Sequence, residues 1–165
     1  MKHVLFLLVA GFFVLPACSQ GRKSPHETVE GKNVKVSYGR PYKKGREIFG
    51  GLEKYGKVWR TGADEATEIT FANDVKFGGK PVKAGTYTLF TIPEKDEWTI
   101  ILNGQLGQWG AYDYEKYKDK DVLQVKVPAK KLSKVVEQHT IRFAGNDMII
   151  EWDTTQVVIP ITPTS

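Results

Sequence analysis

The stretch DVKFGGKPV, residues 74–82, has the pattern of a β-hairpin. Val75 and Phe77 alternate with polar residues, and the pair Gly78-Gly79 can adopt the positive φ angles that tight hairpin turns need. Pro81 in the return strand has no amide donor, so it belongs at a sheet edge. The stretch therefore predicts two short antiparallel strands joined by a tight turn.

The same period-two alternation continues on both sides of this hairpin. Turn signals separate the alternating segments roughly every eight to twelve residues, which is typical of sandwiches and barrels. The sequence predicts an all-β fold: an antiparallel, jelly-roll-like β-sandwich of about nine strands with two long loops and little helix. Pro128 is expected to end one strand, and KKLSKVVEQ (130–138) is a candidate for a helical turn. The alternating segments are VKVSY (34–38), TEITF (67–71), AGTYTLFTIP (84–93), WTIIL (98–102), DVLQVKVP (121–128), HTIRF (139–143), MIIEW (148–152) and QVVIPI (156–161).

The first twenty residues resemble an export signal. A short basic head precedes an apolar run over residues 4–15, which is shorter than the roughly twenty residues that a membrane-spanning helix needs. The run ends in LPAC, which resembles a bacterial lipobox, and Cys18 is the single cysteine of the chain. The resemblance implies removal of residues 1–17 and acylation of Cys18, whose several acyl chains would give a stable membrane anchor. The alternative is an ordinary signal peptide that is cut near Ala17.

Location and partners follow from this signal. We expect an exported protein whose acylated Cys18 inserts into membrane lipid, and Ser19 after the cysteine favours the outer membrane, with the domain facing the periplasm. The net charge is +5, from 24 basic and 19 acidic residues. The lysines are scattered, so the charge indicates a solvated surface and no nucleic-acid partner.

The mature chain has the length of one domain. Residues 18–32 are polar and predict a flexible tether, and residues 33–165 predict a single β-sandwich domain. One cysteine cannot form an intramolecular disulfide, so the fold must depend on its apolar core.

Two long segments, residues 39–66 and 103–119, interrupt the rhythm of the strands. Loops of this length are uncommon in compact domains and often carry function. Five blocks in and around them together resemble the DUF2911 family of exported bacterial proteins, common in Bacteroidetes. The resemblance spans residues 33–161 and implies the fold and the exported location but no activity. The blocks are GRPYKKGREIFGGL (39–52), YGKVWRTGADEATEITF (55–71), AGTYTLFTIP (84–93), EWTIILN (97–103) and QWGAYDY (108–114).

One residue departs from the family pattern. The family usually has asparagine where this chain has Asp64. An ionised aspartate only accepts hydrogen bonds, whereas asparagine also donates them. Any role that needs a donor at this position is therefore not available to Asp64.

The two long loops hold the candidate binding residues. Arginines in the first loop offer planar donors that suit carboxylate or phosphate, and two acids beside them offer acceptors. Aromatic residues in both loops could stack on a sugar ring. We expect an anionic or sugar-containing envelope ligand at a site between the loops. The alternative is that loop partners hold the arginines and that the aromatic rings cap the core. The candidate residues are Arg40, Arg46, Trp59, Arg60, Asp64, Glu65, Trp109 and Tyr112.

Catalytic and metal chemistry have weaker support. His139 is the one histidine of the predicted domain, so no metal site and no cofactor are expected. Asp64 and Glu65 are adjacent, and on a strand they would point to opposite sides, which makes a poor acid pair. Two alternative functions remain: a hydrolase that acts on envelope glycans through a loop carboxylate, and a purely structural envelope component. The direction in which Arg60 and Glu65 point is the observation that separates these hypotheses.

Overall fold

Nine antiparallel strands make up the computed structural model, which describes residues 21–164. Their order across the sheet is β1-β2-β3-β6-β7-β8-β9-β4-β5. The prediction of an all-β fold with about nine strands and little helix is confirmed. The strands are β1 (His26–Gly31), β2 (Val34–Gly39), β3 (Glu68–Phe71), β4 (Val75–Phe77), β5 (Lys80–Val82), β6 (Gly85–Ile92), β7 (Glu97–Asn103), β8 (Asp121–Ala144) and β9 (Asp147–Pro163).

Helix is limited to one short element within residues 21–164. It is a 3₁₀ helix, Tyr114–Lys120, in the second long loop. Among the described residues, no helix has the length and apolar character that a membrane crossing requires. The predicted signal peptide and Cys18 lie outside the described residues.

The hairpin predicted from residues 74–82 is present. β4 and β5 pair in register from Val75↔Val82 to Phe77↔Lys80. Gly78 and Gly79 form the turn with φ angles of 57° and 83°. β4 also pairs with the end of β9, so β5 is the edge strand and its Pro81 interrupts no further ladder.

The tether prediction is wrong for residues 26–31, because they form β1 and pair with β2 along their whole length. The segment HETVEG reads as polar because an edge strand needs little apolar surface. Its alternate residues are nonetheless partly buried, and Gly31 lies against the ring of Phe143 in β8. The domain therefore begins before residue 33.

β8 and β9 each unite segments that the sequence presents as separate strands. β8 continues through Pro128, which is the last residue paired with β7 before β8 changes its partner to β9. The missing amide therefore falls at a change of partner. KKLSKVVEQ is part of this strand and not a helical turn. Register shifts follow Lys131 and Val136, and such irregularities let a long strand bend.

The bent sheet folds around a large apolar core, and a smaller apolar cluster of Ala66, Phe90, Ile101 and Tyr114 lies apart from it. Phe71 of β3 and Phe77 of β4 are far apart in strand order, yet their ring centroids lie 5.6 Å apart. Tyr38 of β2 accepts a hydrogen bond from the Ile141 amide of β8 at 2.8 Å. Burial raises the pKa of Tyr38 to about 12, so this hydroxyl stays neutral. Every strand from β2 to β9 contributes buried side chains to this core.

The end of β2 fixes the first long loop by direct backbone contact. A Cβ atom added to Gly39 would lie 2.2 Å from the carbonyl oxygen of Ala63. Only glycine allows this approach, and the loop segment around Ala63 is held against β2 as a result.

We predict that Gly39→Ala destabilises the protein by about 3 kcal/mol or more, because the new methyl group overlaps backbone that cannot rotate away. Urea unfolding followed by circular dichroism would measure the change. Gly104→Ala is the matched control, because its new Cβ would lie 3.5 Å from the nearest atom, an ordinary contact. Equal stability of the two variants would contradict the tight backbone contact.

Candidate ligand-binding site

The two long loops contact each other through residues 64–66 and 108–110. The amide of Ala66 donates to the carbonyl of Gln108 at 2.9 Å, and the amide of Gly110 donates to the carbonyl of Asp64 at 3.0 Å. Glu65 and Trp109 form an antiparallel bridge between these two bonds. The loop contact is therefore made by backbone, like a short piece of sheet.

The chain turns sharply just before this contact. Thr61 has a φ angle of 57° and Asp64 has one of 63°. This region is unfavourable for a β-branched residue such as threonine, so its surroundings must hold it there. The Thr61 carbonyl accepts hydrogen bonds from Thr67 Oγ1 at 2.9 Å and from His139 Nε2 at 2.8 Å. Arg60 and Glu65 lie on either side of the turn and line different pockets.

Asp64 binds the N-terminal segment to this loop. Its carboxylate accepts hydrogen bonds from the amides of Lys23, at 3.2 Å, and Ser24, at 3.1 Å. His26 Nε2 lies 3.4 Å from the same carboxylate. Burial raises the pKa of Asp64, but these donors lower it by more, and the net pKa is below its ordinary value. Each of these partners is a donor, which suits an ionised aspartate.

Residues 22–26, which we name the N-terminal strap, lie between two pockets. Lys23 and Ser24 line one of them, and Arg22 and His26 line the other. Arg22 Nη2 contacts Glu65 Oε1 at 2.8 Å, which adds a second tie between the strap and the loop.

The first pocket, which we name the arginine pocket, has a volume of about 200 Å³. The Arg60 Nε atom is buried there without a hydrogen-bond partner. Within residues 21–164, no acid lies within ion-pair distance of the Arg60 guanidinium. Arg46 is held by the Lys43 carbonyl, 2.9 Å from its Nε. The lining residues are Lys23, Ser24, Pro41, Arg46, Leu52, Glu53, Arg60, Gly62, Ala63, Asp64 and Trp152.

Glu53 has a strongly shifted pKa in this pocket. Burial raises its pKa to about 7, and the positive charges of Arg60 and Arg46 limit that rise. Its carboxyl forms no ion pair within the described part of the chain, even with the arginines that share its pocket. The pocket therefore combines two guanidinium groups with a carboxyl group that is half neutral near pH 7.

The second pocket, which we name the junction pocket, lies where the two loops meet and has a volume of about 160 Å³. Glu65 Oε2 and Gln108 Oε1 are buried in its wall without a hydrogen-bond partner. His26 Nε2 lies 3.3 Å from Glu65 Oε2. The lining residues are Arg22, His26, Ser37, Tyr38, Glu65, Ala66, Glu68, Gly107 and Gln108.

Comparison with known proteins identifies the family. The family model described as "Protein of unknown function (DUF2911)" matches residues 20–161. The chain belongs to the DUF2911 family. The match begins before β1, so it includes the N-terminal strap that Asp64 binds. No curated protein and no solved structure matches the chain.

In this DUF2911 protein the predicted site residues fall into three groups. Arg46, Arg60 and Asp64 line the arginine pocket, and Glu65 lines the junction pocket. The others line neither pocket: Arg40, Trp59, Trp109 and Tyr112.

The contacts of Trp59 and Arg40 explain why neither residue lines a pocket. Trp59 is 3 % exposed, and the rings of Phe49, Trp98, Trp152 and His139 surround it, so its predicted stacking face is covered by the core. Arg40 binds Glu27 at 2.9 Å and Thr140 Oγ1 at 3.0 Å. For Trp59, the alternative considered from the sequence, a ring that caps the core, is the one observed, whereas the partners of Arg40 belong to β1 and β8 and not to the loop.

The aromatic residues of the second loop are arranged differently from the prediction. Tyr112 is 81 % exposed, and its ring lies over Gly110, where an added Cβ would be 2.6 Å from the ring. Gly110 thus makes room for the Tyr112 ring. Trp109 is partly exposed and takes part in the bridge to Glu65.

Sequence reasoning missed the residues that the DUF2911 fold brings to the pockets from elsewhere. Glu53 lies in GGLEKYG, where no pattern separates it from an ordinary loop acid. Lys23 and His26 belong to the segment interpreted as a tether. The partial burial of Glu27, Val29 and Gly31 has period two, but only one of the three is a large apolar residue, so the signal was weak.

We predict that Asp64→Ala releases the N-terminal strap, because the amides of Lys23 and Ser24 lose their acceptor. The lost hydrogen bonds should lower stability by about 1–3 kcal/mol. Hydrogen exchange measured by mass spectrometry should show faster exchange at residues 22–26. Asp64→Asn should show an intermediate effect, because it keeps one acceptor oxygen. Asp113→Ala is the matched control, since Asp113 is exposed and its side chain caps nothing. Unchanged protection in Asp64→Ala would contradict the anchoring role.

Proposed function

We propose that this protein is an exported, lipid-anchored envelope module that binds an anionic group in the arginine pocket. The observation that carries the proposal is the guanidinium of Arg60, which is partly buried and has no acid or hydrogen-bond partner within the described chain. The Nε donor of this guanidinium is buried without a partner, which costs about 1–3 kcal/mol. A bound anion would supply the opposite charge that the Arg60 guanidinium lacks.

Arg46 supports the same interpretation from the rim of the pocket. Carbonyl groups of its own loop accept hydrogen bonds from its guanidinium. The Arg46 side chain is therefore already ordered, and binding a ligand costs less conformational entropy. Two guanidinium groups offer the planar donor geometry that suits phosphate, sulfate or carboxylate. Lys23 adds a third positive charge at the same pocket.

The size of the pocket limits what it can enclose. Sites for drug-sized ligands have volumes of roughly 300–1,000 Å³. The arginine pocket, at about 200 Å³, is smaller. It suits the anionic end of a larger molecule, and an envelope molecule that contains sugar and carries such a group remains the proposed ligand class.

The location rests on the sequence of the first twenty residues. The basic head, the short apolar run and LPAC with Cys18 support export and acylation. We propose an outer-membrane anchor with the domain facing the periplasm.

The two alternative functions fit the pockets less well. Hydrolysis of a glycan needs two carboxyl groups that act in one space. Glu53 and Asp64 share the arginine pocket, but the Asp64 oxygens are occupied by Lys23, Ser24 and His26. Glu65 is paired with Arg22. A purely structural component needs no pocket between the loops, yet the junction pocket lies there.

We predict that Arg60→Gln weakens the binding of sulfate by about tenfold to a hundredfold, since a hydrogen bond to a charged group contributes about 1.5–3 kcal/mol. Isothermal titration calorimetry with the purified protein would measure the affinity, and a panel of anionic envelope glycans would follow. Arg142→Gln is the matched control, because Arg142 pairs with Glu151 on the surface. Trp109→Ala should leave binding unchanged, because Trp109 lines neither pocket. A folded Arg60→Gln variant that binds sulfate with wild-type affinity would contradict the proposal.

We predict that Cys18→Ser abolishes lipid attachment, because serine offers no thiol for acylation. Metabolic labelling with an alkyne-tagged fatty acid, followed by membrane fractionation, would measure the effect. Ser19→Ala is the control and should keep the label. A Cys18→Ser protein that still carries the label and stays in the membrane fraction would contradict the anchor.

A further inference from the structure

Glu53 shares the arginine pocket with two guanidinium groups and pairs with neither. Ion pairs are formed at several places in residues 21–164, yet none of them includes Glu53, Arg46 or Arg60. Opposite charges that lie in one small pocket without direct contact leave room between them. All three residues line this pocket, so a ligand group that lies in it has all three beside it.

The charge of Glu53 decides whether an anion is tolerated there. An ionised carboxyl group would repel the anion, whereas a neutral one has an O–H group that can donate a hydrogen bond to it. The other charged residues lining the pocket are Lys23 and Asp64. Asp64 has its oxygens occupied by the N-terminal strap, so Glu53 is the acid of this pocket that remains free to change its protonation state.

We propose that Glu53 is a third ligand contact of the arginine pocket, that it donates a hydrogen bond to the bound anion in its neutral form, and that binding therefore takes up a proton from solvent when Glu53 is ionised. This inference rests on the proposed function. With Arg46 and Arg60, it gives three donating side chains at one pocket. A planar carboxylate offers two oxygens, whereas a terminal phosphoryl or sulfuryl group offers three, so the ligand class is a phosphate or sulfate ester.

The pKa of Glu53 agrees with this arrangement. Burial raises the pKa to about 7, so the neutral form is already populated near neutral pH. A bound anion adds negative charge beside the carboxyl and raises its pKa further. Binding is then strongest below pH 7, where Glu53 is neutral before the ligand arrives, and weakens as the pH rises above 7, because a proton must be taken up.

Sulfate is a suitable probe because its charge does not change in this pH range. We expect calorimetry with the full-length protein in non-ionic detergent to show sulfate affinity about tenfold weaker near pH 8.5 than near pH 6, which corresponds to a rise of about one pKa unit on binding. Glu53→Gln should bind with the same affinity at both pH values, because the amide donates without titrating. Glu47→Gln, which changes an exposed acid of the same loop, should keep the wild-type dependence.

A second measurement keeps the inference testable if Glu53→Gln folds poorly. Titration of the wild-type protein near pH 7.5 in two buffers of different ionisation enthalpy should reveal uptake of about half a proton for each sulfate bound, as a rise of about one unit from a pKa of about 7 requires. Acetate should bind more weakly than sulfate at the lower pH.

The outcomes separate the two proposals. Absence of sulfate binding at both pH values would overturn the proposed function and this inference together. Binding that depends on Arg60 but shows no proton uptake, or that keeps its pH dependence in Glu53→Gln, would overturn the role of Glu53 and leave the anion site standing. Acetate affinity equal to that of sulfate would overturn the ligand class.

Discussion

The backbone carbonyl of Thr61 is the point on which the site depends. It accepts hydrogen bonds from His139 in β8 and from Thr67 just before β3, and it does so from a left-handed conformation that threonine rarely adopts. Burial lowers the pKa of His139 to about 4, which keeps its ring neutral with a proton on Nε2 for this bond. The turn between Thr61 and Asp64 separates Arg60, which lines the arginine pocket, from Glu65, which lines the junction pocket. A more extended chain at Thr61 would not place these two side chains on separate sides of the N-terminal strap.

The aromatic core around His139 explains why this carbonyl stays in place. Trp59 stacks on Trp152 with ring centroids 5.9 Å apart, and its Nε1 donates to the Gly62 carbonyl at 3.2 Å. Trp59 and Gly62 flank Arg60 and Thr61, so the turn is fastened to the core from both ends. The long loop is thus rigid where it carries the pocket, which is the condition for a site whose side chains are ordered before a ligand arrives.

Alternation in the sequence predicts most strands because a half-buried sheet demands period two, and the hairpin at residues 74–82 is the clearest case. It misses β1 because an edge strand held by backbone bonds can have polar side chains, and it divides β8 because proline usually ends a ladder. The sequence likewise predicts one part of the site and misses another. The sequence indicates the loops and Arg46, Arg60, Asp64 and Glu65, since residue type alone marks them as donors and acceptors. It does not distinguish Trp59 from a ligand-stacking residue, and it does not find Glu53, because burial gives that carboxyl its raised pKa and burial is a property of the fold.

The N-terminal strap limits how far the domain can move from its anchor. Lys23 is bound by Asp64 at the arginine pocket, and it lies five residue steps from Cys18 along the chain. Five residues span at most about 18 Å when fully extended. With Cys18 acylated as proposed, a connection of this length holds the arginine pocket near the lipid surface. The arginine pocket then meets mainly molecules that are attached to the same membrane, and these have a high local concentration there.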